Sequence, residues 1–223
     1  MKVKVCGMRD ARNIAEIARL KPDYMGFVFY ERSPRYAGSL EPGALDVLPP
    51  EIGRVGVFVD APLERVLETA ARYDLDMVQL HGSESPEMCS KLRRRYGVIK
   101  SFGIGDASDL ERVAPYEGTC DYYLFDAKTP IHGGSGLRFD HGVLAAYEGA
   151  TPYFLSGGLR AEDAAALAAF ASPDTSASPP LPPPFAPGDG RCVGFDINSG
   201  FETAPGVKDP AQVEQFMKTI KNI

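Results

Sequence analysis

Two stretches of this 223-residue sequence end an apolar run on a side chain that can move a proton. At 122–126 the run Tyr122, Tyr123, Leu124, Phe125 closes on Asp126, and a glycine-rich segment, 131–140, follows. A buried strand that delivers a carboxylate to the foot of a glycine loop is one way to present a general acid. The same Asp can also cap the loop or pair with Lys128. At 2–6 a second run ends on Cys6, followed by Gly7. A thiol there is either a buried small hydrophobe or, beside a phosphate and Arg35, a thiolate able to act as base or nucleophile. With Cys6 as base, Asp126 supplies the matching acid. His81 is a third titratable group, and a structural hydrogen bond to a neighbouring loop is its preferred reading. Asp60 either binds substrate or caps a helix opening at Pro62, and the cap is preferred.

A second pattern suits an anion. Gly157 and Gly158 have no side chain to keep a phosphate from backbone N–H groups, and a helix N-terminus follows them. Ser199 and Gly200 stand in the same position after the last apolar run. Either pair alone can be a tight strand–helix turn. Together they point to phosphate binding.

Something must bring these sites to one place. Apolar runs that read as strands occur at 2–6, 24–29, 55–59, 77–80, 98–102, 122–126, 153–155 and 193–196. Helical patterns lie between them: one capped by Asp10, one from Pro62, one from Ser85 and Pro86, a weaker one at 103–114, one at 139–147 and one at 161–171. A short helix is expected before Pro49, and a last helix is capped by Asp209. Strand and helix therefore alternate eight times, and the strands are continuously apolar, as in a parallel sheet buried on both faces. The expected fold is α/β, a single (β/α)8 TIM barrel over residues 1–223. An open doubly wound sheet is the alternative, but no G-x-G-x-x-G follows the first strand. Chemistry in such barrels sits where strands end, which is where Cys6, Asp60, His81, Asp126, Gly157 and Ser199 fall. Segment 172–190, with seven prolines, is read as a surface insertion on the opposite face, before the eighth strand.

Bulk properties narrow the partners. Lys and Arg number 24 against 30 Asp and Glu, so a net charge of −6 disfavours nucleic acid but not a small anion. No apolar run approaches the ~20 residues that cross a bilayer, and no signal-peptide core is expected. The four cysteines, Cys6, Cys89, Cys120 and Cys192, form no C-x-x-C pair, so neither zinc nor a redox motif is indicated. Free thiols in the cytoplasm are the simplest reading. No cofactor or metal is expected. A small-molecule substrate is, with no nucleic acid or membrane partner.

In order along the chain, Lys4-Val5-Cys6-Gly7, Gly26-Phe27-Val28-Phe29, Ser33-Pro34-Arg35, Gln79-Leu80-His81-Gly82, Gly134-Ser135-Gly136 and Leu155-Ser156-Gly157-Gly158-Leu159 resemble phosphoribosylanthranilate isomerase. So does the run from Asp196 through Asn198, Ser199 and Gly200 to Asp209. The resemblance fails only across 172–190. It implies a (β/α)8 barrel that catalyses the Amadori rearrangement of N-(5-phosphoribosyl)anthranilate in tryptophan biosynthesis. It implies Cys6 as general base, Asp126 as general acid, and Arg35 at the anthranilate carboxylate. It adds His81, Gly134, Ser135 and Gly136 to the substrate-binding set and puts the phosphate on Gly157, Gly158, Ser199 and Gly200. Arg9 and His141 depart from the family pattern, which leaves details of the first and sixth loops open. A related barrel lyase would want a Schiff-base lysine at a strand end, for which Lys100 is the candidate. A phosphate sensor without chemistry would have lost Cys6 or Asp126.

Overall fold

Each apolar run becomes a strand because both of its faces find cover. In the computed structural model, residues 1–128, 141–171 and 191–221 are described. The strands are β1 (Lys2–Val5), β2 (Tyr24–Val28), β3 (Gly53–Phe58), β4 (Met77–Leu80), β5 (Gly97–Ile104), β6 (Tyr122–Ala127), β7 (Tyr153–Leu155) and β8 (Cys192–Ile197). They are parallel, hydrogen-bond in chain order, and close where β1 pairs with β8.

Side chains alternate across each strand. Val3, Val5, Phe27, Phe125 and Phe195 are fully buried and join the cluster beneath the helices. Val55, Met77, Ile99, Leu124 and Phe154 form a separate cluster inside the barrel. Each such large apolar side chain contributes roughly 1.5–3 kcal/mol on burial. At the strands' N-terminal end, Lys2 Nζ donates to Tyr24 Oη at 3.2 Å and lies over the Tyr24 and Tyr122 rings. This filled floor leaves the interior accessible from the C-terminal end.

Five α-helices are described: α1 (Ala11–Ala18), α2 (Leu63–Arg72), α3 (Pro86–Leu92), α4 (Ala164–Ala171) and α5 (Pro210–Lys221). Asp10 accepts from Asn13 N at 2.8 Å and Ser85 from Met88 N at 3.3 Å, capping α1 and α3 as expected. Three expected helices are only 3₁₀ turns. The segment after β2 has one at Pro42–Leu45, that after β5 has two, Ala107–Arg112 and Ala114–Tyr116, and that after β6 has His141–Ala146. Pro42, Gly43, Pro115 and Gly142 interrupt these segments, and both residue types weaken an α-helix. The helix expected from 161 opens as a 3₁₀ turn, Ala161–Asp163, before α4.

The Asp60 cap is not formed. Asp60 has φ +51, and its Oδ1 accepts from Ser83 N and Ser83 Oγ, both at 2.7 Å. Helix α2 instead begins after Pro62 with no side-chain cap. An antiparallel hairpin, β9 (Glu202–Ala204) and β10 (Val207–Lys208), follows β8 and was not anticipated. Gly206, at φ +83, turns it. No described helix is long and apolar enough to cross a membrane. The 172–190 segment lies outside the described residues.

Candidate active site

The end of β1 presents Cys6 to the interior. Its N–H donates to Ile197 O at 2.9 Å, which extends the pairing with β8 by one residue. Lys4 lies two residues earlier on the same face and is fully buried. Its Nζ donates to Asp196 Oδ1 of β8 at 2.8 Å. Gly26 of β2 makes the space these groups occupy: a Cβ there would stand 2.8 Å from Cys6 Sγ and 3.2 Å from Lys4 Nζ. Sulfur and ammonium are therefore neighbours. Burial pushes the Cys6 thiol above its ordinary value, and Lys4 is the strongest influence against it. Burial alone would lower Lys4, but Asp196 and then Cys6 outweigh it, so Lys4 stays charged.

Asp126 comes from β6, with β7 and β8 between it and Cys6. Its Oδ1 accepts from Ala127 N at 2.8 Å, and its side chain keeps 18 % exposure. Burial raises its pKa to about 6, against the Ala127 N–H. His81 Nε2 stands 3.7 Å from Asp126 Oδ2. On the ring's other side, His81 Nδ1 is 3.0 Å from Gln79 Nε2, which also donates to Ser101 Oγ at 3.1 Å. An amide donor at Nδ1 leaves the ring proton on Nε2, facing the carboxylate.

The two glycine-bearing loops pack on one another. Gly157 and Gly158 have φ +92 and +66, which glycine adopts freely. A Cβ on Gly157 would lie 2.7 Å from Ala127 N and 3.1 Å from Asp126 Oδ1, so only a glycine lets this loop pass so close to the Asp126 carboxyl. Ser199 and Gly200 open a 3₁₀ turn after β8, and a Cβ on Gly200 would lie 2.2 Å from Leu159 O. Cys6, His81, Asp126, Gly157, Gly158, Ser199 and Gly200 all line one cleft, of about 790 Å³ with its mouth included.

Arg35 lines the same cleft, but part of its fork is already filled. Nε and Nη2 donate to the two carboxylate oxygens of Glu202 at 2.8 and 2.7 Å. Lys208 Nζ adds a 2.5 Å contact to Glu202 Oε1 and donates to Asn198 Oδ1 at 2.9 Å. Burial would raise Glu202, but Arg35 and Lys208 prevail and hold it below the usual carboxylate range.

The model of one family, described as N-(5'phosphoribosyl)anthranilate (PRA) isomerase, matches residues 3–219. The chain belongs to that family. A relative named N-(5'-phosphoribosyl)anthranilate isomerase from Parabacteroides distasonis is 44% identical, over 99% of this chain and 93% of its own. One of the same name from Phocaeicola vulgatus is 42% identical, over 99% and 98%. Among solved structures, the phosphoribosyl anthranilate isomerase of Thermotoga maritima superposes with a TM-score of 0.79 at 32% identity, covering 100% of both chains. A structure of a phosphoribosyl anthranilate isomerase in complex with reduced 1-(o-carboxyphenylamino)-1-deoxyribulose 5-phosphate has a TM-score of 0.74 at 28% identity.

The cleft gathers most of the residues that the sequence singled out and several that it did not. Gly134, Ser135 and Gly136 lie outside the described residues. Lys100, the lyase candidate, sits on the opposite face of β5 from Ile99. Its Nζ donates to Leu80 O at 3.1 Å and Gly82 O at 2.7 Å and pairs with Glu84 at 3.2 Å, so it clasps strand ends outside the cleft. Lys4, Asp196, Glu202 and Lys208 were given no part in the site, and Asn198 was noted only as a strand-end residue. A signal for two of them was present: a charge inside a buried strand must find a partner there, and Lys4 and Asp196 each interrupt an apolar run.

Proposed function

We propose that this chain converts N-(5-phosphoribosyl)anthranilate to 1-(2-carboxyphenylamino)-1-deoxyribulose 5-phosphate, an aldose–ketose isomerisation in tryptophan biosynthesis. One (β/α)8 domain carries the site, and the place of action is the cytoplasm, where four free thiols stay reduced. The observation that carries the reading is the convergence of Cys6, Asp126 and both glycine-bearing loops on one cleft.

Asp126 protonates the ribose ring oxygen, and the ring opens to a Schiff base. Cys6 removes the C2 proton, and the enamine so formed tautomerises to the ketone. Gly157, Gly158, Ser199 and Gly200 receive the phosphate on backbone N–H groups. The N–H of His81 faces Asp126 and favours its ionised form once the proton has left. Arg35 meets the anthranilate carboxylate through the rest of its fork or by exchange with Glu202.

The working form is protonated Asp126 with ionised Cys6. Asp126 titrates at about 6 and the thiol above its ordinary value, so this form is a minority at neutral pH. Its fraction is level between the two pKa values and falls tenfold per pH unit outside them. The test is loss of anthranilate-type fluorescence on adding freshly made substrate. Cys6→Ala and Asp126→Asn should each lower kcat by ~10²–10⁴-fold with KM little changed. Near-parental kcat in either folded variant removes that residue from its role.

A further inference from the structure

The Lys4–Asp196 pair takes no part in the proton transfers above, yet it lies beneath them. Lys4 is 0% exposed and Asp196 6%, with 2.8 Å between Nζ and Oδ1. A buried ion pair is weak evidence for stability, since well-packed apolar side chains in its place are often as good or better. Its orientation says more. The ammonium lies beside Cys6 Sγ, and both abut the space that Gly26 leaves empty. The carboxylate end belongs to β8 and lines the cleft together with Asp126.

We propose that Lys4 is a positioning residue for the acid–base step: its ammonium stabilises the Cys6 thiolate, while Asp196 anchors that ammonium and places a negative charge on the side of the cleft that holds Asp126. The proposal rests on the reading of Cys6 as base and Asp126 as acid. One buried dipole then acts on both groups in opposite senses, positive end to the base and negative end to the acid.

The charges that act on the Cys6 thiol are those of Lys4 from β1, Asp196 from β8 and Lys208 from β10. Asp126, His81 and Arg35 line the rest of the cleft. After burial, the Lys4 charge acts most strongly on the thiol, and it outweighs Asp196. At Asp126 the order reverses: Asp196 pushes the carboxyl up more than Lys4 pulls it down. Each proton-transfer group feels the helpful end of the pair first.

The deciding readout needs no turnover. Alkylation by iodoacetamide, in which the thiolate displaces iodide, is followed against pH at the Cys6 peptide by mass spectrometry. In Lys4→Met the midpoint should rise by about one unit or more, and kcat/KM on its level region should fall about tenfold per unit. KM should barely move, and Lys4→Arg should keep the midpoint near the parent's. Asp196→Asn should shift the midpoint the other way, because Lys4 then faces the thiol without its counter-ion. Opposite shifts from the two ends are not expected of a pair that only holds the fold. If Lys4→Met does not fold, the charge-free double variant Lys4→Met/Asp196→Asn decides, with a smaller upward shift expected. A midpoint within about 0.3 unit of the parent's in either folded variant overturns the proposal. Retained activity in Cys6→Ala would overturn the base assignment, and the alkylation shift would still decide the role of Lys4.

Discussion

Asp126→Asn should abolish most activity and yet make the protein more stable at alkaline pH. The folded carboxyl titrates at about 6 against an ordinary 3.8. A raised pKa means that the fold holds the proton more tightly than the unfolded chain does. The associated stability is therefore fully present below about pH 4, is lost as pH rises from about 4 to 6, and is absent above. The two-unit difference corresponds to about 3 kcal/mol, and the partial exposure of the side chain makes that an upper limit. Asparagine is neutral at every pH and keeps an oxygen for the Ala127 N–H. Relative to the parent, Asp126→Asn should gain up to about 3 kcal/mol at pH 8 and little near pH 4. At this chain length that is about 6–12 °C in Tm. Urea unfolding at both pH values reads it directly, provided m is the same in both proteins. A variant whose advantage at pH 8 is no larger than at pH 4.5 would refute the view that Asp126 is a strained, buried carboxylate.

Gly26→Ala should displace the base, because the new Cβ would lie 2.8 Å from Cys6 Sγ and 3.1 Å from Cys6 Cα. A misplacement of about 1 Å can cost ~10²-fold in rate, and overpacking typically costs ~1–3 kcal/mol; parental kcat with an unchanged Tm would show that this space is not needed. Glu202→Gln should leave Arg35 and Lys208 buried without the anion they share. The unfolding free energy should fall by about 3–5 kcal/mol in urea titration, and a loss below about 1 kcal/mol would mean that neither cation depends on Glu202. Arg35→Lys keeps the charge but not the planar fork; kinetics should show KM raised with kcat near the parent's, and an unchanged KM would take Arg35 out of the substrate site.

Which residues were legible in the sequence follows from the range of the forces that place them. A parallel strand buried on both faces must be apolar throughout, so its end is marked where a polar or small residue breaks the run. Cys6, Asp126, Gly157 and Ser199 stand at such breaks, and barrel geometry alone then brings them to one mouth. The 3₁₀ turns were less legible, because an apolar stretch shortened by Pro42 or Gly142 keeps a helical pattern without the hydrogen bonds to complete it. Asp60 shows the limit of local rules. A carboxylate two residues before a helix can cap it, yet at φ +51 it turns to Ser83, 23 positions away. The buried charges are harder still. Lys4 finds Asp196 across 192 positions, and Arg35 finds Glu202 across 167, on a hairpin with no alternating pattern to announce it. A charge within an apolar strand says that a partner exists but not which one. Closure of β8 onto β1 supplies that answer, because it sets Lys4 directly beside Asp196 in register. The same closure that finishes the fold thus places a buried cation beside the thiol and a buried anion near the acid, so the electrostatics of the site are a property of the closed barrel and of no segment within it.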